Sequence, residues 1–251
     1  MELLKGKTIE PRKTLVYADS GGGKTTLAAG APRAVIMDYE GGANDIDCTK
    51  TPRIKTYHDT LTILQQIQTE NIGLQTLVID SLDWLQTIIW QFVSDEAGVK
   101  SIAEISYGQG YKLALAYWQH IVSELERIRL NQNVGIVLLC HSEIKRFEDP
   151  AGSSYDRWQP KLHAAAAALF TEYVDEILYC DLETFTKTED EGFGRKRTRG
   201  TTSGRRVLRT TACPAWVAKN RLSMPDTIDC SWEAYQAYFP TAAAVKTERT
   251  K

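Results

Sequence analysis

The segment ADSGGGKT, residues 18–25, restricts what this chain can fold into more than any other stretch. Three consecutive glycines, Gly21, Gly22 and Gly23, let the backbone turn tightly and aim its N–H groups at one point. A β-prone run, TLVYA at residues 14–18, precedes them, and TTLAAGA follows as a helix that Pro32 closes early. Strand, glycine turn and helix are the setting in which G-x-x-x-x-G-K-[ST] grips nucleotide phosphates. Ser20 through Thr26 are therefore the expected phosphate-binding residues: Ser20, Gly21, Gly22, Gly23, Lys24, Thr25 and Thr26. Lys24 neutralises β/γ oxygens, Thr25 holds Mg²⁺, and the helix offers its positive end. Ala18 stands where the pattern has its first glycine, a departure that removes no phosphate contact.

Composition narrows the setting. With 251 residues, 43% of them hydrophobic, the chain can bury one large core. A single domain over residues 1–240 with a frayed tail at 241–251 is expected. The formal charge of -2 excludes whole-molecule attraction to nucleic acid, so any such contact must come from local patches. Five scattered cysteines without a C-x-x-C pair read as reduced, packed thiols. Neither a signal-peptide core nor a membrane-length apolar run is seen, so a cytoplasmic protein with no membrane partner is expected.

Apolar runs at residues 34–38 (AVIMD), 76–80 (TLVID), 134–140 (VGIVLLC) and 174–180 read as buried strands. Helical patterns occupy residues 60–71, capped by Asp59, then 82–97 and 111–131, with an Ala-rich helix after residue 160. Residues 145–160 read as a polar loop, and 206–211 as the return strand of a hairpin. The alternation predicts an α/β fold: a mostly parallel central sheet with helices on both faces and a C-terminal β-hairpin.

Asp80, ending TLVID, is the natural second carboxylate for Mg²⁺. The next residue is Ser81 rather than Glu, so the residue that orients an attacking water must lie elsewhere. Glu40 in MDYEGG is the best candidate, against the plainer reading of a solvated loop acid. His141, at the end of VGIVLLCH, lies at a sheet edge where it could sense the γ-phosphate; a core or capping histidine is as good a reading of its type alone. Trp84, Trp90 and Trp118 fall at helical core positions, and His58, His120 and His163 lack metal-ligand spacing.

The ordered set of P-loop, MDYEGG, LVIDS and VGIVLLCHSE resembles the RecA-like P-loop NTPase superfamily. More narrowly, it is similar to phage-type nucleotide-binding proteins related to recombinases that serve in single-strand annealing. The resemblance implies ATP with Mg²⁺, Glu40 as catalytic base, and His141 as a sensor before a mobile DNA-facing loop. It also implies a K-x-R pair, here Lys219 and Arg221 in VAKNR, reaching the nucleotide of a neighbouring subunit in a homo-oligomer. The implied partner is single-stranded DNA, with a single-strand binding protein as a further candidate, in the cytoplasm of the host if the chain is phage-encoded. Little room precedes the P-loop for the assembly domain of larger recombinases, so long autonomous filaments are not expected.

Two stretches could meet DNA. In residues 145–163, cations interleave with aromatics: Lys145, Arg146, Tyr155, Arg157 and Trp158 can pair with phosphates and stack on bases. In GRKRTRGTTSGRR, residues 194–206, Arg195, Lys196, Arg197 and Arg199 form a local basic patch, together with Arg205 and Arg206. A solvated hairpin tip, balanced by Glu189, Asp190 and Glu191, is the plainer reading of the second; packing of Tyr155 and Trp158 is the plainer reading of the first. A RecA-like motor of helicase or packaging type, and a small-molecule kinase with an Arg-rich lid, remain as alternatives.

Overall fold

The computed structural model describes residues 3–5, 8–70, 72–150, 152–190, 196–240 and 248–250. The apolar runs become strands of one nine-stranded sheet. In chain order the elements are β1 (Leu3–Lys5), β2 (Lys13–Ala18), α1 (Lys24–Ala29), β3 (Ala34–Asp38), β4 (Thr49–Lys50), α2 (Tyr57–Thr69), β5 (Thr76–Asp80) and α3 (Leu82–Glu96). They continue with α4 (Gln109–Gln132), β6 (Gly135–Phe147), β7 (Tyr155–Pro160), α5 (Ala164–Tyr173), β8 (Glu176–Asp190), β9 (Lys196–Arg209), β10 (Thr227–Asp229), α6 (Trp232–Gln236) and β11 (Glu248–Thr250).

The sheet order is β10-β9-β8-β2-β6-β5-β3-β4. From β8 to β4 the pairings are parallel, while β9 runs antiparallel between β8 and β10. β7 pairs antiparallel with the outer part of β6, and β1 pairs with β11 apart from the main sheet. This is the mostly parallel α/β architecture with a C-terminal antiparallel hairpin that the sequence predicts.

Successive residues of each central strand point to opposite faces and enter different cores. Leu15, Tyr17, Met37, Leu77, Ile79, Leu138 and Tyr179 pack beneath α2 to α5 with Leu64, Leu85, Trp118, Leu125 and Phe170. Val16, Ala18, Ile36, Val78, Leu139 and Leu178 meet Leu27 and Ala28 of α1 and Trp232 and Tyr235 of α6. Burial on both faces explains why these strands read as apolar runs rather than alternating ones. Truncating a fully buried side chain here, Leu125 for instance, would cost roughly 2–5 kcal/mol.

Several boundaries differ from the sequence reading. Thr56, not Asp59, caps α2: its hydroxyl accepts from the Asp59 N–H at 3.0 Å, which makes Asp59 a first-turn acid. The supposed loop at 145–160 is largely a ribbon, because β6 continues to Phe147 and β7 returns along it. Likewise β8 runs to Asp190 and β9 starts at Lys196, ten residues before the anticipated return strand. Beyond Cys140 the side chains of β6 are half-buried or exposed, so that extension loses the continuous apolar signature that marks the buried part. Of the expected tail, only residues 248–250 are described.

Candidate phosphate and metal site

The P-loop leaves β2 at Ala18 and enters α1 at Lys24. Gly21 and Gly23 adopt φ of 72° and 92°, a region that side-chain-bearing residues avoid. Gly22 is required for space: a Cβ there would lie 2.6 Å from that of Ala18 and 2.9 Å from the Asp19 carbonyl oxygen. The small Ala18 in the pattern's glycine position thus packs directly under the turn. α1 spans only six residues, so the loop's own N–H groups and Lys24 form most of the cradle. Lys24 is buried, and its Nζ donates to the carbonyls of Ala18 at 3.3 Å and Asp19 at 3.2 Å, which fix it along the loop.

Thr25 and Asp80 are brought together as the sequence predicts. Thr25 Oγ1 donates to Asp80 Oδ2 at 2.7 Å. Burial, with the nearby carboxylates of Glu40 and Asp38, pushes the Asp80 carboxyl up to about 6, against the opposing Thr25 bond and Lys24 charge. A hydroxyl beside a buried carboxylate crowded by other acids suits a hard divalent cation. Among the described residues no cluster of three or more His, Cys, Asp or Glu is arranged to hold a metal alone. Mg²⁺ keeps waters and phosphate oxygens in its shell beside one or two protein ligands, and Thr25 with Asp80 could supply those two. Bound there, it would neutralise charge on the phosphates. The Asp80–Ser81 peptide is cis.

Glu40 and His141 also converge. Asp38 Oδ1 accepts from the Gly41 N–H at 2.6 Å, and Gly41 takes φ of 86°, so the MDYEGG turn is pinned with Glu40 half-buried beside Asp80. His141 Nε2 lies 3.7 Å from Glu40 Oε1, and its Nδ1 lies 2.9 Å from Asp83 Oδ2. Asp83 Oδ1 accepts from the His141 N–H at 3.1 Å and from Ser81 Oγ at 2.7 Å. Burial acts to raise the Asp83 carboxyl, but the bonds from His141 and Ser81 outweigh it and hold the group down at about 2. An ionised carboxylate thereby fixes the imidazole in place, and Glu40 faces its other nitrogen. Asp83 is absent from the sequence reading, since an acid in the first turn of a helix is ordinary and signals only a favourable dipole.

Arg206 belongs by sequence to the basic patch, yet it turns back over the P-loop: its Nη2 donates to the Gly21 carbonyl at 3.2 Å, and its Cδ would lie 3.2 Å from a Cβ on Gly23. A cleft of about 340 Å³ opens beside it, lined in part by Gly23, Thr26, Arg206, Ser231 and Glu233. A larger cleft of about 800 Å³ opens on the other flank, between Ser20, Glu40, Asp83, His141, Lys145 and Lys161.

A family model described as the AAA domain matches residues 10–222, most of the chain. The protein belongs to this AAA-domain family. The site is accordingly that of a P-loop ATPase. No curated protein matches the chain in sequence. A solved structure, titled as the crystal structure of the RadB recombinase, aligns at 15% identity and a TM-score of 0.43, covering 79% of this chain and 80% of that one.

The remaining predicted residues of this AAA-domain protein lie on its periphery. On the β6–β7 ribbon Lys145 pairs in register with Arg157, and Phe147 with Tyr155, so these four share one face. The Arg157 guanidinium lies over the Phe147 ring at 4.2 Å, and the Phe147 and Tyr155 rings are 5.3 Å apart. Arg146 and Trp158 fall on the opposite face. Arg146 is exposed and 3.7 Å from Glu148, whereas Trp158 is half-buried and stacks against Tyr179. Lys196, Arg197 and Arg199 lie on β9 in register with Asp190, Glu189 and Lys187, and Arg195 lies outside the described residues. Arg205 departs from the basic-patch expectation, since it is paired with Asp229.

Lys219 and Arg221 are not brought to the P-loop of their own chain. Lys219 bridges to Ile177 near the start of β8, while the loop follows the far end of β2. Its Nζ donates to the Thr171 and Val174 carbonyls at 2.8 and 2.6 Å, capping the end of α5. Burial and the adjacent Arg221 lower its pKa. Arg221 is exposed and bonds Asp175 at 3.0 Å. Among the described residues no helix is long and apolar enough to cross a membrane.

Proposed function

We propose that this P-loop ATPase is a recombination protein of the cytoplasm that binds and slowly hydrolyses ATP with Mg²⁺, grips single-stranded DNA, and promotes annealing or strand pairing as a homo-oligomer. One observation carries the reading. His141, Glu143, Lys145 and Phe147 alternate along a single strand and so share one face of β6, from the carboxylates at the phosphate site out to the cation and aromatic face of the ribbon. A shift of His141 in response to the γ-phosphate would move along the strand to a surface suited to phosphates and bases.

In this scheme Lys24, Thr25 and Asp80 hold the nucleotide and cation, Glu40 orients the attacking water, and His141 reports the state of the γ-phosphate. Lys219 and Arg221, remote from their own P-loop, would act on the nucleotide of an adjoining copy. ATP then governs grip and assembly more than travel along DNA.

The test is steady-state ATP hydrolysis by the purified protein with and without single-stranded DNA, using Lys24→Ala as the blank. The expected result is slow turnover that DNA stimulates several-fold and that the blank lacks. Turnover indifferent to DNA, with no DNA binding at low salt, would remove the recombination reading while leaving the ATPase. Directional displacement of a paired strand would replace it with a motor.

A further inference from the structure

The sequence scatters its cysteines, but the fold sets two of them side by side under the P-loop. Cys180 leaves β8 toward the α1 face, and Cys230 follows β10; their Sγ atoms are 2.9 Å apart. Cys180 Sγ also donates to the Gly22 carbonyl at 3.1 Å. Because a trans peptide plane points its C=O and N–H in opposite directions, that contact directs the Gly23 N–H away from Cys180. The thiol thus helps to set the orientation of one of the loop's own N–H groups.

The two cysteines differ in access. Cys180 is buried, whereas Cys230 is half-buried and lines the 340 Å³ cleft with Arg206 and Ser231. Contact with the neighbouring Cys180 sulfur and the positive charge of Arg206 lower the pKa of Cys230 despite its burial. One thiol is therefore reachable and activated, and the other stands directly behind it.

We propose that Cys180 and Cys230 form a thiol–disulfide modification site whose oxidation weakens nucleotide binding at the adjoining P-loop. The oxidant is a small disulfide of the glutathione class. The Cys230 thiolate attacks one of its sulfurs, forms a mixed disulfide and releases one glutathione thiolate. Cys180 then gives its proton to solvent and attacks the Cys230 sulfur, closing Cys180–Cys230 and releasing the second glutathione. The protein loses two protons and two electrons, and the glutathione disulfide takes up both electrons and becomes two thiols. Cys180 no longer has a hydrogen to donate, so the Gly22 carbonyl loses its partner and the Gly22–Gly23 peptide is released.

The coupling to nucleotide rests on the phosphate-binding reading; the cross-link itself does not. The experiment incubates the protein with oxidised glutathione, identifies linked peptides by mass, and measures binding of a fluorescent ATP analogue before and after dithiothreitol. A Cys180–Cys230 linked peptide is expected, with affinity about fivefold weaker when oxidised, the worth of one hydrogen bond. The ratio of reduced to oxidised affinity should return to one in Cys230→Ser, and equally in Cys180→Ser, which keeps an O–H for Gly22. Either variant suffices if the other fails to fold. Absence of the linked peptide overturns the site, and a linked protein of unchanged affinity overturns the coupling. A reduced protein that binds no nucleotide would sink the phosphate reading instead and, with it, the coupling, while the mass result still decides the site.

Discussion

The strands flanking β2 in the sheet, β6 and β8, both overrun the end of the P-loop strand, and each turns back as an antiparallel ribbon. The P-loop therefore lies between two constructions of the same kind that do different things. On the β6 side the outgoing strand carries the polar contact to the site, with His141 against Asp83 and Glu40, and the returning strand docks Trp158 on Tyr179. On the β8 side the returning strand carries it, because β9 brings Arg206 back over Gly21. One ribbon runs from the His141 cluster out to a cation and aromatic face; the other closes over the loop itself.

The largest effect should come from what the two sides share. Asp80→Asn is expected to lower turnover at least a thousandfold, since it removes the cation's carboxylate (an effect of about 4 kcal/mol). It should also stabilise the fold. Asp80 has a folded pKa of about 6, above its unfolded value, so its ionised form opposes folding above that pH, and the opposition fades as pH falls from about 6 toward 4. A gain of roughly 3 kcal/mol in urea unfolding at pH 8, shrinking steadily toward pH 4, is expected. No gain at pH 8 would mean that the carboxylate cluster is not strained in solution.

Next in size is Asp83→Asn. The substitution keeps the shape but removes the charge that fixes His141, so turnover should fall about a hundredfold with nucleotide affinity nearly unchanged. Equal loss of affinity would make Asp83 a prop of the loop and erase the difference between the ribbons. Arg206→Ala should do the reverse: about tenfold weaker nucleotide binding, measured by calorimetry, with DNA affinity preserved. The smallest effect is that of Lys145→Ala, a few-fold loss of single-stranded DNA affinity with the salt-dependence slope reduced by about 0.7. If Arg206→Ala weakened DNA and Lys145→Ala weakened nucleotide, the two assignments would exchange.

Legibility in the sequence followed burial. β3 and β5 match the runs AVIMD and TLVID residue for residue, because strands covered on both faces advertise themselves locally. The outer end of β6 carries no such signal, because it leaves that cover. Asp80 beside Thr25 could be foreseen from motif and order. Asp83 could not, because its meaning comes from a histidine 58 positions away. Arg206 is 185 positions from Gly21, and only the ribbon's return path joins them, so its local company of arginines pointed elsewhere. Cys180 and Cys230 follow the same rule, since pairing across β9 leaves no spacing signature.

The alternation that puts His141 and Lys145 on one face of β6 also limits how this chain can change over time. Beyond Phe147 the connection to Tyr155 is free to lengthen or shorten, as turns at a ribbon's tip generally are. Between residues 141 and 145 the arithmetic is unforgiving. A gain or loss of one residue there would turn Lys145 and Phe147 to the opposite face while leaving His141 where it is. Relatives that keep the connection should therefore vary in steps of two across this short interval, or carry a bulge that restores the count.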